Sequence, residues 1–397
     1  MNLYPINRIL LSISVLAALI FPALVRAQRL AIRNVRILPV QGGVIDNGSI
    51  LIENGKIKAI GPAIAIPSGF TVLDGGGATV MPGIVDANAH FGLRDTANEQ
   101  ASEVTPQFDI LAQAAPRSRD YQKALSYGVT SALLGPASAN VVGGQCAVLK
   151  TAGGSLGKML LRERTGVRAA LGLDTYRGNG GFFRASPDSL ANIYLRRPNS
   201  RMGAVWELRN ALDHAAKSKS LNEVRQGRAS LRVNARIEND IRAALSIADE
   251  FEVPKFTLEE GCEAYKVVDL LAARHASVVL GPLYDPQSSV SEGAGPLLNT
   301  PGLLAARGIM VAFGSNGDDP EPLLHWAALA VKYGMKPETA LRALTLDAAE
   351  ICGVADRVGS LEVGKDADLL ILSGDPLEMT THIEKVLVNG QVVYRGQ

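Results

Sequence analysis

The stretch that decides the fold is MPGIVDANAH, residues 81–90. An apolar strand follows Pro82-Gly83 and ends on polar side chains. Because side chains alternate between the two faces of a strand, Asn88 and His90 point to the same side. From residue 83 to residue 354, similar apolar strands alternate with amphipathic helical stretches. Repeated strand–helix units predict a parallel sheet, and this many units favour a closed (β/α)8 barrel of the TIM type.

Five further strands and four helices are predicted inside this region from their hydrophobic periodicity. The strands are Gly128–Leu134, Ala229–Asn234, Lys255–Glu259, Ser277–Gly281 and Ile309–Phe313. The helices are Asn239–Phe251, Ala264–Arg274, Pro322–Tyr333 and Pro337–Cys352. The segment 158–199 is irregular, and no strand is assigned within it.

Both ends of the chain carry short β-rich runs with turn residues such as Asn47-Gly48 and Asn54-Gly55 between them. The runs are Ala31–Leu38, Ser49–Glu53, Lys56–Ile60, Thr71–Asp74, Asp368–Leu372, Lys385–Val388 and Val392–Tyr394. Chain termini commonly lie close together at a domain surface. We therefore predict one discontinuous β-sandwich domain from residues 28–82 and 355–397, with the barrel at residues 83–354 inserted between its halves.

Polar residues stand where several predicted barrel strands end. In barrels of this type, functional side chains emerge at the carboxyl ends of the strands. The polar residues at these positions are Asn88, His90, Asn234, Glu260 and Asn316. We expect their side chains to line one pocket.

The run Pro82-Gly83-Ile84-Val85-Asp86-x-Asn88-x-His90 resembles the strand-one motif of the amidohydrolase superfamily, in which both residues of the final pair are histidine. The ending Gly359–Leu369 resembles the family's split β-domain. The run Asn140–Gln145 resembles a glycine loop of its imidazolonepropionase-like and dipeptidase-like branch. The likeness covers residues 30–394 and implies a metal-dependent hydrolase that cleaves C–N bonds other than typical peptide bonds.

The resemblance also implies a set of metal ligands. Active members use paired histidines on strand one, one histidine each on strands five and six, and an aspartate on strand eight. Many add a carbamylated lysine or a glutamate on strand four. Here His90 keeps one histidine of the pair, and the other four positions hold Asn88, Asn234, Glu260 and Asn316. No strand-four ligand is assigned. Lys150 is a candidate for that position only because it is a lysine.

These replacements weaken the expected chemistry. Catalytic zinc sites rest on imidazole, thiolate or carboxylate ligands, and a neutral carboxamide is a weak donor. Metal binding lowers the pKa of water from 15.7 to about 7, which is worth on the order of 12 kcal/mol in forming hydroxide. A lone general base contributes only about 10²–10⁴-fold. Asn316 also lacks the carboxylate that would take the proton from the attacking water.

Three interpretations stay open, and the third of them is a non-catalytic interaction or scaffold protein with no small-molecule role. The first is a catalytically impaired member that keeps its pocket for a small amide or cyclic-amide ligand, acting as a binding protein or as a partner subunit, in a homodimer or in a heteromer with an active relative. The second is an active hydrolase with a rebuilt single-metal site, with zinc held by His90, Glu260 and Asp318. Asp318 and Asp319 have an alternative role as caps of the following helix.

The remaining histidines and the cysteines favour structural roles. The histidines predicted to lie on surfaces or in packing contacts are His214, His275 and His325, and His382 belongs to the terminal β-domain. Cys262 follows Glu260 by two residues, but no histidine base is suggested nearby. An odd count of widely separated cysteines, with Cys146 and Cys352, predicts buried thiols rather than a disulfide framework.

Charge and the N-terminus bear on partners and location. The 397 residues carry 40 basic and 39 acidic side chains, which gives no basic field for nucleic acid. Arg8 precedes an apolar run from Ile9 to Val25 that ends in Val25-Arg26-Ala27, the layout of a cleavable secretory signal. We therefore expect residues 1–27 to be removed on export to the periplasm or medium, with no membrane attachment afterwards.

Overall fold

The structure is a computed structural model that describes residues 29–95, 97–99, 102–177, 179, 197–283 and 297–396. The expected signal at residues 1–27 lies outside the described residues, as does the stretch 180–196. Within the described ranges, no helix has the length and apolar character needed to cross a membrane.

Strands from the two ends of the chain pair in one eight-stranded sheet. Its strands are β1 (Arg29–Ile37), β2 (Ile45–Glu53), β3 (Lys56–Gly61), β4 (Thr71–Asp74), β5 (Thr79–Pro82) and, from the other end, Leu369–Leu372, Ile383–Val388 and Gln391–Arg395. The two ends meet where β5 runs antiparallel to Leu369–Leu372, with Met81 opposite Leu370. The sheet buries its own apolar cluster, which includes Ile32, Ile50 and Leu387.

The middle of the chain forms a nearly closed barrel of eight strands. They are β6 (Ile84–Ala89), β7 (Val129–Leu134), β8 (Val142–Lys150), β9 (Leu160–Ala170), β10 (Ser230–Ala235), β11 (Phe256–Glu260), β12 (Ser277–Leu280) and β13 (Val311–Phe313), and the terminal strands follow as β14, β15 and β16. The barrel closes between its first and last strands, where Asn316 N–H donates to the Asn88 carbonyl at 2.7 Å and His90 N–H donates to Gly317 at 3.1 Å. A methyl group on Gly314 would lie 2.7 Å from Asn88 Cβ, so glycine is required for this approach.

Helices cover the outside of the barrel. They are α1 (Asp120–Ser126), α2 (Leu156–Met159), α3 (Arg201–Asp213), α4 (Lys219–Arg225), α5 (Glu238–Glu250), α6 (Val268–Ala273), α7 (Thr300–Ala306), α8 (Leu323–Lys332), α9 (Pro337–Leu344) and α10 (Leu346–Cys352). Helix α5 shows why such segments are helical, because Ile241, Ala244, Leu245 and Ala248 recur at the spacing of one face and are all buried.

Three local predictions need correction. Strand β8 begins at Val142 inside the segment read as a glycine loop, and it runs antiparallel to both neighbours, so one of the eight barrel strands is reversed. Gly143 and Gly144, which the glycine-loop resemblance assigns to a loop, lie at a register shift at the start of this strand. The predicted helix Pro337–Cys352 is divided into α9 and α10 because Thr345 leaves helical geometry at φ −131° and ψ −87°.

Candidate ligand site at the barrel mouth

The five polar residues predicted to line a pocket do meet at the carboxyl ends of the barrel strands. Asn88 is on β6 and His90 directly follows it, Asn234 is on β10, Glu260 ends β11, and Asn316 follows β13. All but Asn316 are buried. Their side chains form one network rather than separate contacts.

A directed chain of hydrogen bonds crosses the mouth from a cation to an anion. Arg168 Nη2, from β9, donates to Asn88 Oδ1 at 2.7 Å. Asn88 Nδ2 donates to Asn316 Oδ1 at 3.0 Å, and Asn316 Nδ2 donates in turn to Glu260 Oε1. Each amide therefore accepts from the guanidinium side and donates toward the carboxylate side, which orients both amides in one direction.

Glu260 is surrounded by donors. Asn234 Nδ2 donates to its Oε1 at 2.6 Å, and the Arg236 guanidinium bonds both of its oxygens. Arg236 also reaches Asp174 Oδ2 at 2.7 Å, toward the outside of the mouth. The Glu260 backbone is left-handed at φ 62°, a conformation that is costly for glutamate and is found mainly where the surrounding structure enforces it. Hydrogen bonds thus hold this carboxylate in one orientation.

His90 is held by the backbone and points its other nitrogen into the mouth. Its Nδ1 is 2.8 Å from the Gly135 carbonyl, so Nδ1 must carry a proton to donate there. Burial lowers the pKa of His90, and the charge of Arg168 lowers it further, so the ring is neutral near pH 7. Nε2 is therefore an acceptor, and it lies 3.4 Å from the Asn316 Oδ1 acceptor. Two acceptors converge on the same space.

Below the mouth, the barrel interior holds a buried ion cluster. Glu259 Oε1 accepts from Arg232 Nε at 2.6 Å, and its Oε2 is 2.5 Å from Arg168 Nη1. All three side chains are at most 1% exposed. Arg232 also donates to the Ala87 carbonyl at 2.7 Å. Arg168 is thus shared between this cluster and Asn88, which fixes its charge at the site.

Asp86, from the Pro-Gly-x-x-Asp run, holds the first and last barrel strands together. Its Oδ1 accepts from the backbone N–H groups of Asn88 at 3.1 Å and Ser315 at 3.0 Å. Its Oδ2 is buried with no hydrogen-bond partner among the residues that the structure describes. Burial raises the pKa of Asp86 to about 7, against the hydrogen bonds that lower it. The role of this carboxyl group is to position the strand that carries Asn88 and His90.

Comparisons with known proteins agree with this geometry. A sequence model of the Amidohydrolase family matches residues 214–394. The chain superposes on the crystal structure of an amidohydrolase from Thermotoga maritima MSB8 with a TM-score of 0.82 and 28% identity, over 92% of this chain and all of that one. The chain belongs to the amidohydrolase superfamily.

Two further relatives are similar to this chain in sequence over most of its length. The amidohydrolase tasK of Hapsidospora irregularis is 24% identical over 86% of this chain, but the chain spans only 39% of that protein's length. An imidazolonepropionase of Deinococcus radiodurans is 26% identical, over 83% of this chain and 86% of its own. The TIM-barrel fold with an added β-domain is that of the superfamily's metal-dependent hydrolases.

The side chains at the mouth do not fit the divalent metal that this superfamily implies. Among the residues that the structure describes, no group of three or more His, Cys, Asp or Glu side chains is placed to hold a metal ion. Both oxygens of Glu260 already accept hydrogen bonds from cationic or amide donors. The Arg168 guanidinium contacts Asn88, and its charge would repel a divalent cation at that side of the mouth.

Several residues considered from sequence lie elsewhere. Asp318 is exposed, and Asp319 pairs with Lys123 at 3.1 Å; neither caps α8, which begins only at Leu323 without a side-chain cap, so the capping prediction was wrong. Lys150 is at the far end of β8 and is buried against Asp366 and Asp368 of the β-domain, at 2.9 and 2.8 Å. It is a structural lysine, not a ligand.

The histidines and cysteines outside the network have structural positions. Three of the histidines are exposed, namely His214, His275 and His325. The Nδ1 of His382 lies at hydrogen-bonding distance, 3.0 Å, from the Ser373 hydroxyl oxygen. Cys146, Cys262 and Cys352 are buried thiols, as predicted. Burial raises the pKa of Cys146, and raises that of Cys352 to about 12, so these two are unreactive as nucleophiles.

Sequence reasoning missed the arginines of the site. Arg168 lies in the segment that was left without a strand, and Arg236 follows Asn234 by two residues, on the same face of the strand end. A signal was present in Leu231-Arg232-Val233, where a charged residue interrupts an apolar barrel strand. Such residues are buried only when they are paired, which would have predicted an ion cluster inside the barrel.

Proposed function

We propose that this amidohydrolase-family chain is a metal-independent, catalytically impaired member that binds a small ligand at the barrel mouth. The observation that carries the proposal is the hydrogen-bonded chain from Arg168 through Asn88 and Asn316 to Glu260. Amides occupy three of the five positions at which the resemblance places metal ligands, and the guanidinium groups of Arg168 and Arg236 contact Asn88 and Glu260. The positive charge at the site is therefore supplied by the Arg168 guanidinium rather than by a bound metal ion.

Charge balance supports the absence of a resident metal. Glu260 is the one carboxylate of the five mouth residues, and Arg236 lies against it with its own charge. A divalent cation would have to displace Arg236 and approach Arg168, and both steps cost Coulomb energy in a buried setting. Without such a cation, the site has no means of lowering the pKa of water toward neutrality.

Elemental analysis tests this proposal directly. The purified chain is incubated with zinc or manganese, desalted, and assayed for metal and for hydrolysis of N-acyl and cyclic amide compounds. We expect well below one equivalent of metal and no turnover. A variant with Asn88→His, Asn234→His, Glu260→His and Asn316→Asp restores the superfamily donors and serves as the metal-binding comparison. One tightly held metal per wild-type chain together with turnover would instead establish the rebuilt single-metal site.

The ligand class follows from the converging acceptors. His90 Nε2 and Asn316 Oδ1 face each other at 3.4 Å, and neither can donate to the other in the neutral state. A ligand N–H that approaches both atoms from the mouth could donate a shared hydrogen bond to them. A small amide or cyclic amide supplies such a donor, in keeping with the C–N substrates of the superfamily.

A variant of His90 separates this ligand role from folding. His90→Phe keeps a planar ring but removes the Nε2 acceptor, whereas His325→Phe changes an exposed ring on α8. Calorimetric titration of a panel of lactams and N-acyl amino acids should find ligands whose affinity falls about tenfold or more in the first variant only. Equal affinities in both variants would place the ligand elsewhere.

Export and assembly complete the proposal. The signal-like run in residues 1–27 supports export to the periplasm or medium, and N-terminal mass determination of the mature protein tests whether the chain begins after Ala27. A homodimer, or a heteromer with an active relative, stays a prediction that native mass spectrometry of the endogenous protein tests.

A further inference from the structure

A cavity lies at the opposite end of the barrel from the mouth. It has a volume of about 300 Å³ and is bounded by the first residues of three adjacent strands, Ser230 of β10, Phe256 of β11 and Ser277 of β12. Helix α10 contributes Glu350 and Ile351 to its wall. Known ligand sites begin at about this volume. Functional sites of barrels are usually at the carboxyl ends, so this cavity is separate from the proposed ligand site.

Basic and hydroxyl groups dominate the polar lining. Lys255, Arg274 and His275 supply nitrogen donors, while Ser230, Thr257 and Ser277 supply hydroxyl groups. Glu350 is the single acidic residue of the lining, and it lies within 4.0 Å of Arg342. Lys255 and His275 are exposed, and neither side chain has a hydrogen bond or salt bridge to any residue that the structure describes.

Arg274 is built into the cavity wall with one donor unused. Its guanidinium lies 5.5 Å from the centre of the Phe256 ring, its Nη2 donates to the Val253 carbonyl at 2.8 Å, and its Nη1 bonds Asp249. Its Nε is buried and has no hydrogen-bond partner among the described residues. The contacts with Phe256, Val253 and Asp249 hold this guanidinium in one position in the cavity wall.

A different surface cavity, next to the start of α6, also has a basic lining. That cavity of about 490 Å³ is lined by Arg242, Lys266 and Arg307, and each of them is paired with a carboxylate. Their charge is already compensated by Glu238, Glu263 and Asp269. In the barrel-end cavity, Arg274 is likewise paired with Asp249, but Lys255 has no carboxylate partner among the residues that the structure describes.

From this lining we infer that the cavity at the amino ends of β10, β11 and β12 is a binding site for a small oxyanion, such as a phosphate or sulfate group. Lys255 would supply a mobile charge, Arg274 a fixed one, and the hydroxyl groups of Ser230, Thr257 and Ser277 directional donors. The pairing of Ser230 and Thr257 hydroxyls at 3.0 Å keeps two of these donors close together.

Calorimetric titration with inorganic phosphate and with sulfate at pH 7 tests the site. Lys255→Met removes the charge but keeps the apolar stem, and His275→Asn suits the left-handed backbone at φ 53°. Lys266→Met, in the cavity whose basic residues are all paired with carboxylates, is the matched control. We expect saturable millimolar binding in the wild type that weakens about tenfold or more in the Lys255→Met/His275→Asn double variant and is unchanged in the control.

Three results would overturn the inference. Absence of saturable phosphate or sulfate binding by the folded wild type excludes the site. Equal affinity in the double variant places the anion elsewhere. A similar loss in the Lys266→Met control shows only diffuse attraction to surface charge. Because Lys255 is exposed, the single Lys255→Met variant keeps the test valid if the double variant fails to fold.

Discussion

Asn88 donates its side-chain amide to the Asn316 side-chain oxygen at 3.0 Å, joining the first and last barrel strands across the mouth. The backbone repeats the contact, because Asn316 N–H donates to the Asn88 carbonyl at 2.7 Å. The sequence resemblance predicts a histidine and an aspartate, both metal ligands in active members, at these two positions. Here an amide pair makes the same connection between strands with hydrogen bonds alone.

The first prediction concerns this pair. Asn88→Ala and Asn316→Ala should each destabilise the chain by about 1–3 kcal/mol, since each leaves buried polar partners unsatisfied. The double variant should lose less than the sum, with a coupling of about 0.5–3 kcal/mol, because both changes break the same chain. Urea unfolding of the wild type, the two single variants and the double variant measures this coupling energy. Strict additivity would show that the two amides act independently.

The second prediction concerns pH and Asp86. Burial raises its folded pKa to about 7, above an unfolded value near 3.9. Between these values the folded chain binds more protons, so stability falls as pH rises, and the penalty, on the order of a few kcal/mol, is complete only above the folded pKa. Asp86→Asn removes this titration.

Unfolding free energies from pH 5 to 8 check the sign. The wild type should lose stability relative to Asp86→Asn as pH rises, whereas the exposed Asp356→Asn should follow the wild type throughout. If the unfolding free energy of the wild type instead rises relative to that of Asp86→Asn from pH 5 to 8, the Asp86 carboxylate is stabilised in the folded state.

The third prediction concerns the ion cluster inside the barrel. Glu259→Gln leaves Arg168 and Arg232 buried without their anion, and should cost about 3–5 kcal/mol. Glu250→Gln removes the partner of Arg209 in an exposed pair of 2.7 Å and should cost at most about 1 kcal/mol. Denaturant midpoints of the two variants give the comparison. Similar small losses in both would mean that water or another anion compensates the arginines.

The fourth prediction concerns the attachment of the barrel to the β-domain. Lys150 is 1% exposed and contacts Asp366, Asp368 and Asn389, so Lys150→Met should destabilise by about 3 kcal/mol or more. Lys56 reaches the same Asp366 at 3.0 Å but is 56% exposed, so Lys56→Met should cost under about 1 kcal/mol. Thermal unfolding followed by circular dichroism distinguishes them. A Lys150→Met protein as stable as Lys56→Met contradicts a structural role for this lysine.

Much of the architecture could be predicted from local patterns. Strand Thr71–Asp74 was predicted with its observed bounds, and β10, β11 and β12 within one residue at each end. These strands are short segments rich in apolar and β-branched residues, and their length and the helical stretches between them favour strands. Strand β8 was missed because its Gly143-Gly144 start reads as a turn, although tertiary pairing with β7 and β9 keeps it extended.

The sequence by itself determined which residue types stand at the barrel mouth, because strand alternation and the resemblance to amidohydrolases place Asn88, His90, Asn234, Glu260 and Asn316 there. Only the tertiary structure decided what these residues contact. Arg168 and Arg236 come to the mouth through strand pairing and barrel closure, and no local pattern records which side chains such closure brings within hydrogen-bonding distance. The physical reason is that periodicity specifies the face of a strand, whereas the partner across the barrel depends on register and curvature of all eight strands together.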